Sequence, residues 1–576
     1  MPRANEEVEA LLREYADLLA ITGGDAFKAR AYEKAARAVA GHHDDLSKLD
    51  LKQLRAIPGV GRSIADKIAE YFERGSVAVV EEARARIPAG VRELIEIPTL
   101  GPKKAMLLYR DLGISSIEQL VDAIHDERLR ELKGFGPKTE ENILHGVELL
   151  RQSGGRVLID VAMELAEEIV ARLSSVDGCV RCTYAGSLRR FRETIGDVDI
   201  LAAAADSAPL MAAFRELAVV AEVIASGEKK TSIRTGRGLQ VDLRVVPPES
   251  WGAALQYFTG SQAHNIRTRE IAVRAKLKLS EYGLFDVETG ELIVSRTEEE
   301  VYQRLGLPWI PPPLREDRGE IEAALRGELP ELVREQDLRG DLHTHTDLTD
   351  GIAPLEEMLD AAAARGYAYY AITDHAPNLF MQRMSDEKML AQRERVRALD
   401  RRSGMRLLHG TELNIDPDGG VDWPAQFLAG FDLCVASVHS AFTQSRADTT
   451  RRLVRACENP HVNILGHLTG RQIGHRAPVD ADFDEVFRAC ARTGTALEVN
   501  SFPDRLDVRD EHILHAKRYG VKFAIDSDAH STRDLAQIRY GVGTAQRGWL
   551  TPDDVINTWP LTRLKKFLRK PSARDA

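Results

Sequence analysis

Apolar positions recur at helical spacing near the start of the chain, in Val8, Leu11, Leu12, Tyr15 and Leu18 and again in Ala31, Tyr32, Ala35 and Ala36. This pattern, with Gly-Pro punctuation between segments, predicts short amphipathic helices over the first 150 residues. From about residue 156 the texture changes. β-rich runs at 180–184, 197–202 and 239–246, separated by helical stretches, predict a mixed α/β sheet domain. After Asp341, short apolar runs at 371–373, 406–412, 433–438, 462–464, 496–499 and 523–525 alternate with helical stretches. Repeated strand–helix units imply a parallel sheet or barrel with its chemistry at the C-terminal strand ends. Between the two regions, Pro-Trp-Ile-Pro-Pro-Pro at 308–313 reads as a stiff connector. The block 301–350, with 6 basic and 11 acidic side chains, reads as a solvated linker.

Length and composition narrow this picture. At roughly 100–200 residues per domain, 576 residues predict several domains. No stretch approaches the ~18 uncharged apolar residues that span a bilayer, and the charged start of the chain has no signal-peptide apolar region. Five cysteines suit a reducing cytoplasm better than a disulfide framework. The formal charge of −11 argues, taken alone, against nucleic acid. Its distribution argues the other way: residues 225–280 hold ten basic and four acidic side chains.

Three segments resemble one another: Ile57-Pro-Gly-Val-Gly61, Ile97-Pro-Thr-Leu-Gly101 and Leu132-Lys-Gly-Phe-Gly136. Gly59 and Gly61, like Gly134 and Gly136, permit tight turns that leave amides uncovered at a helix start, where the helix dipole favours an anion. Lys67, then Lys103 and Lys104, then Lys138 add positive charge after each. One such segment is as much a turn as a phosphate site, whereas three favour phosphate. The second is degenerate, with Thr99 in place of a glycine. The pattern resembles the helix-hairpin-helix motif, which grips the DNA backbone without reading sequence.

Tyr184-Ala-Gly-Ser-Leu-Arg-Arg190 precedes Glu193-Thr-Ile-Gly-Asp-Val-Asp-Ile200. Asp197 and Asp199, two apart in a strand, face one side of the sheet, and Asp242 in another alternating strand can complete a triad. Three hard oxygen donors suit Mg²⁺ or Mn²⁺ and a two-ion nucleotidyl transfer. Gly186, Ser187 and Gly196 are placed to cradle a triphosphate, with Arg190 as a phosphate clamp. With Tyr257-Phe-Thr-Gly-Ser261, these residues resemble the family X DNA polymerases of the nucleotidyltransferase superfamily. The resemblance implies that Tyr257, Phe258 and Gly260 lie near the incoming sugar, and that Asn265 and Arg269 contact the nascent base pair. It implies that Lys28 and Tyr32 bind a downstream 5′-phosphate. Lys67 matches a deoxyribose-phosphate lyase lysine, although Ser63 stands where eukaryotic members have a second lysine.

A second constellation follows: Asp341-Leu-His-Thr-His345, Asp350, His375, Glu412, His439, His467 and Asp526-Ser-Asp-Ala-His530. His343 and His345, two apart, point the same way and can share a metal, and Asp528 with His530 repeats the geometry. Mixed imidazole and carboxylate donors suit Mn²⁺, Zn²⁺ or Fe²⁺. The set resembles the polymerase-and-histidinol-phosphatase (PHP) domain, a distorted (β/α)₇ barrel holding up to three ions. The resemblance implies one ion on His343, His345, Glu412 and Asp528. Glu412 then bridges to a second ion with His439, and Asp350, His375, His467 and His530 serve the third. Asn500, Arg471 and Arg505 are phosphate-contact candidates. Cys179-Val-Arg-Cys182 lacks partners for a zinc site and reads as structural, and the basic 563–570 segment reads as a closing helix.

The expected architecture is therefore multidomain, α+β and α/β. It comprises 1–80 and 81–153 as helical DNA-binding units, 154–248 as the palm, 249–316 as a nucleotide-selection subdomain, 317–336 as linker and 337–576 as the PHP domain. Polymerase followed by PHP resembles the bacterial and archaeal PolX group, which implies gap filling with dNTPs, 3′→5′ exonuclease activity and possible cutting at abasic sites. A cytoplasmic, nucleoid-associated monomer acting on gapped or nicked DNA is the expectation. The alternative is a DNA-end-binding scaffold with a vestigial polymerase; the complete aspartate triad speaks against it.

Overall fold

Each N-terminal amphipathic segment can bury its apolar face only against its neighbours. The computed structural model describes residues 3–21, 26–40, 42, 44–57, 59–85, 91, 94, 95, 97, 100–132, 134–153, 155–379, 384–401 and 404–570. Helices Arg3–Ile21 and Ala26–Ala40 pack through Leu12, Tyr15, Tyr32 and Val39, and one apolar cluster continues from Val8 to Val147. The expected units 1–80 and 81–153 thus share a single core. No described helix is long and apolar enough to cross a membrane.

The palm is a five-stranded sheet in the order Arg181–Tyr184, Asp197–Ala203, Gln240–Val246, Lys230–Thr235, Val220–Ser226. Asp197–Ala203 and Gln240–Val246 run parallel, and the other pairs are antiparallel. The last two strands escape the sequence pattern. Val220–Ser226 is an edge strand with most side chains in water, so it carries no period-2 alternation. The palm apolar cluster also takes in Cys179 and Cys182 from its flank, and burial pushes the Cys182 thiol up to about 12.

Helices Trp251–Thr259 and Gln262–Arg274 and the antiparallel strands Leu277–Ser280, Gly283–Asp286 and Leu292–Val294 form the next unit. Here the linker expectation fails. Ile310, Leu314 and Ile321 belong to this unit's core, and Arg315 and Glu320 are fully buried. Several of the charges there are buried and paired rather than solvated. Arg315 donates to Glu298 at 2.6 Å, and His264 meets Glu320 at 2.7 Å through Nδ1 and Tyr302 at 2.8 Å through Nε2. Charge content alone cannot separate a solvated face from a buried ion-pair network.

Beyond it, seven parallel strands follow one another in chain order: Gly340–Asp341, Tyr369–Ile372, Arg406–Asn414, Leu433–Ser437, Ile464–Leu465, Ala496–Asn500 and Phe523–Asp526. A parallel bridge between Thr344 and Ala529 joins the first strand's extension to the last, closing the sheet into a (β/α)₇ barrel. Helix Leu561–Leu568 seats Leu564 and Leu568 on one end of the barrel core.

Candidate functional sites: hairpins, aspartate triad and histidine cluster

The three hairpins repeat one geometry. Val60, Leu100 and Phe135 donate backbone N–H bonds to Ile57, Ile97 and Leu132 at 3.0, 3.0 and 3.1 Å. Gly61 and Gly101 are the N-caps of Arg62–Arg74 and Pro102–Leu112 and offer no side-chain cap, so the first-turn amides stay open to an anion. Gly59 and Gly134 have φ of +87° and +94°, conformations that favour glycine. The degenerate second hairpin therefore keeps its turn, although Thr99 and the Lys103 side chain lie outside the described residues. Lys28 is exposed, with Nζ 5.9 Å from the Tyr15 ring, and Lys138 is exposed beside its hairpin. Tyr32 is buried beneath Lys67, whose Nζ stands 5.8 Å from its ring. Lys67 Nζ donates to Ser63 Oγ at 3.0 Å. A hydroxyl, not a second amine, is its neighbour, so the geometry suits a phosphate contact.

On the palm, the parallel register places Asp199 opposite Asp242 and Asp197 opposite Gln240. Burial, and then the charges of Asp197 and Asp242, push the Asp199 carboxyl up to about 7. Lys230, which sequence reasoning passed over as one of many basic residues, stands 2.5 Å from Asp242 Oδ2. Burial raises the Asp242 pKa, but bonds from Lys230, Ser232 and Gln240 outweigh it and hold the group below the carboxylate norm. Asp199 and Asp242 side by side, with Asp197 near enough to raise the Asp199 pKa, offer hard oxygens of the kind that a divalent cation takes. Gly186 has φ of +60°, and a methyl group there would overlap the Asp199 carboxylate. Ser187 follows it, half-buried, and Gly196 faces the Arg156 guanidinium.

Arg190 sits differently from a free phosphate clamp: it donates to Glu316 at 3.1 Å and to the Thr259 carbonyl at 2.6 Å, beside Gly260. Arg189, unremarked in the sequence, forms a bidentate pair with Glu298, at 2.8 Å for each bond. Tyr257 and Phe258 stack edge-to-face at 5.1 Å, with the Arg244 guanidinium 4.5 Å from the Phe258 ring. Asn265 is buried and donates to the Tyr257 carbonyl at 2.7 Å, whereas Arg269 is exposed.

In the barrel, the histidines and carboxylates follow the strand ends and converge. Three overlapping groups have donor atoms within 4.8 Å of one another: His343, His345 and Asp528; His345, Asp350, His375 and His530; and His375, Glu412 and His439. Glu412 is central. Its Oε1 meets His439 at 3.1 Å and His467 at 3.0 Å, and its Oε2 meets His375 at 2.9 Å. The implied partition among ions is thereby altered. His467 lies with Glu412 and His439, not with Asp350 and His530, because it follows the fifth strand while those two flank the barrel seam. His345 in turn joins Asp350, His375 and His530.

His343 Nε2 and His345 Nε2 lie 3.2 Å apart, both facing Asp528 Oδ1. Two imidazole nitrogens at that distance can share at most one proton, so the set presents lone pairs to a common point, as a cation requires. Burial disfavours the charged His343, but Glu498, Asp528 and Glu412 hold its pKa well above the imidazole norm.

Glu498 had no sequence signal beyond its place in an apolar strand. Fully buried, its Oε1 lies 2.6 Å from His343 Nδ1, and its Oε2 accepts the His467 backbone N–H at 2.5 Å. A carboxylate on Nδ1 turns the other nitrogen toward the cluster. The phosphate-contact candidates divide. Asn500 donates to Asp528 at 3.0 Å and Arg471 holds the carbonyls of Arg505 and Leu506, so both are structural, whereas Arg505 reaches within 3.9 Å of Asp528.

Comparison with known proteins agrees with this geometry. Family models match for a helix-hairpin-helix domain over 3–77, a SAM-like helix-hairpin-helix tandem over 91–148, a DNA polymerase beta thumb over 254–316 and a PHP domain over 341–502. The chain is 36% identical over 569 residues to the DNA polymerase/3′-5′ exonuclease PolX of Bacillus subtilis, covering 98% of this chain and 99% of that protein. It is 26% identical over 340 residues to DNA polymerase lambda of Rattus norvegicus, covering 54% and 55%. A probable phosphatase of Acetivibrio thermocellus is 30% identical over 208 residues, covering 34% of this chain and 81% of that protein. With the aspartate pair in register on the palm and the histidine cluster at the barrel mouth, the chain belongs to the family X DNA polymerases that carry a C-terminal PHP domain.

Proposed function

We propose that the chain fills short gaps in DNA by nucleotidyl transfer in the palm and trims 3′ ends in the barrel. Its substrates are gapped or nicked DNA and dNTPs, and abasic sites are a further substrate of the barrel. It acts as a cytoplasmic, nucleoid-associated monomer. The observation that supports the reading is that one chain holds both candidate donor sets, Asp199 opposite Asp242 on one sheet and nine histidines and carboxylates gathered at one barrel mouth.

Asp197, Asp199 and Asp242 would hold Mg²⁺ or Mn²⁺, which when bound supplies charge neutralisation at the reacting phosphate. The chain's own part is orientation. Gly186 lets the Asp199 carboxylate approach the loop backbone, the amides of Gly186, Ser187 and Leu188 are the ones to meet the phosphates, and Tyr257, Phe258 and Gly260 border the sugar. Lys230 neutralises Asp242 at 2.5 Å. The hairpin amides and Lys28, Tyr32, Lys67 and Lys138 hold the DNA backbone around the gap.

In the barrel, His343, His345, Asp350, His375, Glu412, His439, His467, Asp528 and His530 would hold up to three ions of Mn²⁺, Zn²⁺ or Fe²⁺, which supply Lewis acidity toward a phosphodiester. Glu498 and Asn500 orient His343 and Asp528, and Arg505 is the cation placed to meet a substrate phosphate.

The test is nucleotide addition to a short gap bearing a 5′-phosphate in Mn²⁺. Wild type should extend, Asp199→Ala should not, and His343→Ala should lose 3′ trimming while keeping extension. No extension by wild type sinks the polymerase reading, and trimming that survives His343→Ala sinks the barrel assignment.

A further inference from the structure

The loop that opens the palm site does not end within the polymerase. Past Gly186 and Arg190 it runs into Phe191, Arg192 and Glu193, and this stretch lies against the barrel domain at three points. Arg547, at the end of helix Ile538–Arg547, donates from Nη1 to the Arg190 carbonyl at 2.8 Å and to Glu316 at 2.7 Å. One turn earlier in that helix, Gly543 leaves room for the Phe191 ring, which any larger side chain would overlap. At the far end of the loop, Arg471 pairs with Glu193 at 2.7 Å. Barrel-domain Leu506 and Tyr540 meanwhile insert into the palm's apolar cluster.

Arg547 is the most constrained of these contacts. Its side chain is 4% exposed, and its Nε donates to Asp510 at 3.0 Å, fixing the guanidinium from the barrel side. The same Glu316 oxygen that accepts from Arg547 also accepts from Arg190 at 3.1 Å. One barrel residue thus fixes both the backbone and, through Glu316, the side chain of Arg190. Arg190 in turn lies beside Gly260 and donates to the Thr259 carbonyl, next to the aromatic pair. Because Asp510 and Glu316 fix the buried guanidinium, the Arg190 carbonyl cannot drift without breaking a charge-assisted bond to it.

We propose that Arg547, a residue of the PHP domain, is a positioning residue of the polymerase site, bracing the loop that receives the nucleotide triphosphate. This rests on the polymerase reading above. It makes the barrel domain part of the polymerase's working structure as well as the carrier of a second activity.

The test uses the full chain with Arg547→Gln and Arg547→Lys, measuring kcat and KM for the nucleotide in gap filling, 3′ trimming on the same preparations, and thermal unfolding. Losing one charge-assisted bond at the loop should raise the nucleotide KM about tenfold or more in Arg547→Gln. Arg547→Lys, which keeps one cationic donor, should recover part of this, and trimming should stay near wild type. An unchanged nucleotide KM overturns the inference. So does a parallel fall in extension and trimming, including one caused by unfolding, because it shows only a structural role. Wild type that fails to extend in an Asp199-dependent manner overturns the polymerase reading, and this inference falls with it.

Discussion

Replacing Gly186 with alanine tests how the palm loop and the Asp199 carboxylate share space. Gly186 has φ of +60°, a left-handed conformation that costs an L-residue about 1–2 kcal/mol. The larger effect is steric. The added methyl would lie 2.3 Å from Asp199 Oδ2, whereas ordinary contact begins near 3.4 Å. Either the loop or the carboxylate must therefore move by about 1 Å, and a misplacement of that size costs on the order of 100-fold in rate. Gly186→Ala should accordingly reduce single-turnover nucleotide addition to a gapped duplex by about 100-fold. Melting should fall by a few degrees, at about 2–4 °C per kcal/mol for a domain of 150–250 residues. The 3′ trimming should be untouched, because the barrel ligands lie on other elements. Extension within about threefold of wild type would refute the reasoning, since it would mean that the loop yields without disturbing Asp199.

Glu498→Leu removes the acceptor at His343 Nδ1 and should lower metal occupancy of the purified protein about 10–100-fold in affinity, while Glu498→Gln should keep most of it; equal metal content in both variants would count against an orienting role. Glu298 is buried between Arg189 and Arg315, and Glu298→Gln leaves Arg315 uncompensated, which should cost about 3–5 kcal/mol in thermal or denaturant unfolding. Burial raises the Glu298 pKa, but the two guanidiniums outweigh it and hold the group below its ordinary value of 4.5. Its contribution is therefore present above pH 4.5 and lost progressively below it; wild type and Glu298→Gln should converge in stability only in acid. DNA affinity should fall with salt at a log–log slope of about −0.9 per phosphate contacted, and Lys67→Ala should reduce that slope by about one contact. An unchanged slope would remove Lys67 from the DNA interface.

Much of the site was legible because its chemistry is local in the chain. Asp197 and Asp199 sit two residues apart in a strand, and His343 and His345 flank the bridge residue Thr344 just beyond one, so period-2 geometry puts each pair on one face. The hairpins were legible for the same reason: each turn is closed within four residues by its own backbone bond. Other features had no local signal. Lys230 pairs with Asp242 across a sheet, and Glu498 meets His343 across a separation of 155 residues. The acidic run after residue 316 looked solvated because composition records charge but not its partners, and His264 and Arg267 supply partners for Glu320, Asp317 and Glu322 from elsewhere in the chain.

The amino-acid sequence by itself determined the kinds of domain, their order, the three hairpins, and the aspartates and histidines from which the candidate sites are built, since each is written in short-range spacing of chemically distinctive residues. Tertiary structure alone decided which ligands share a group, moving His467 to Glu412 and His439. It also decided that Arg190 is engaged by Glu316 and that Arg547 of the barrel holds the palm loop. Those pairings depend on strand order around a closed sheet and on the packing of one domain against another. Contacts between residues hundreds of positions apart leave no periodicity for a single sequence to display.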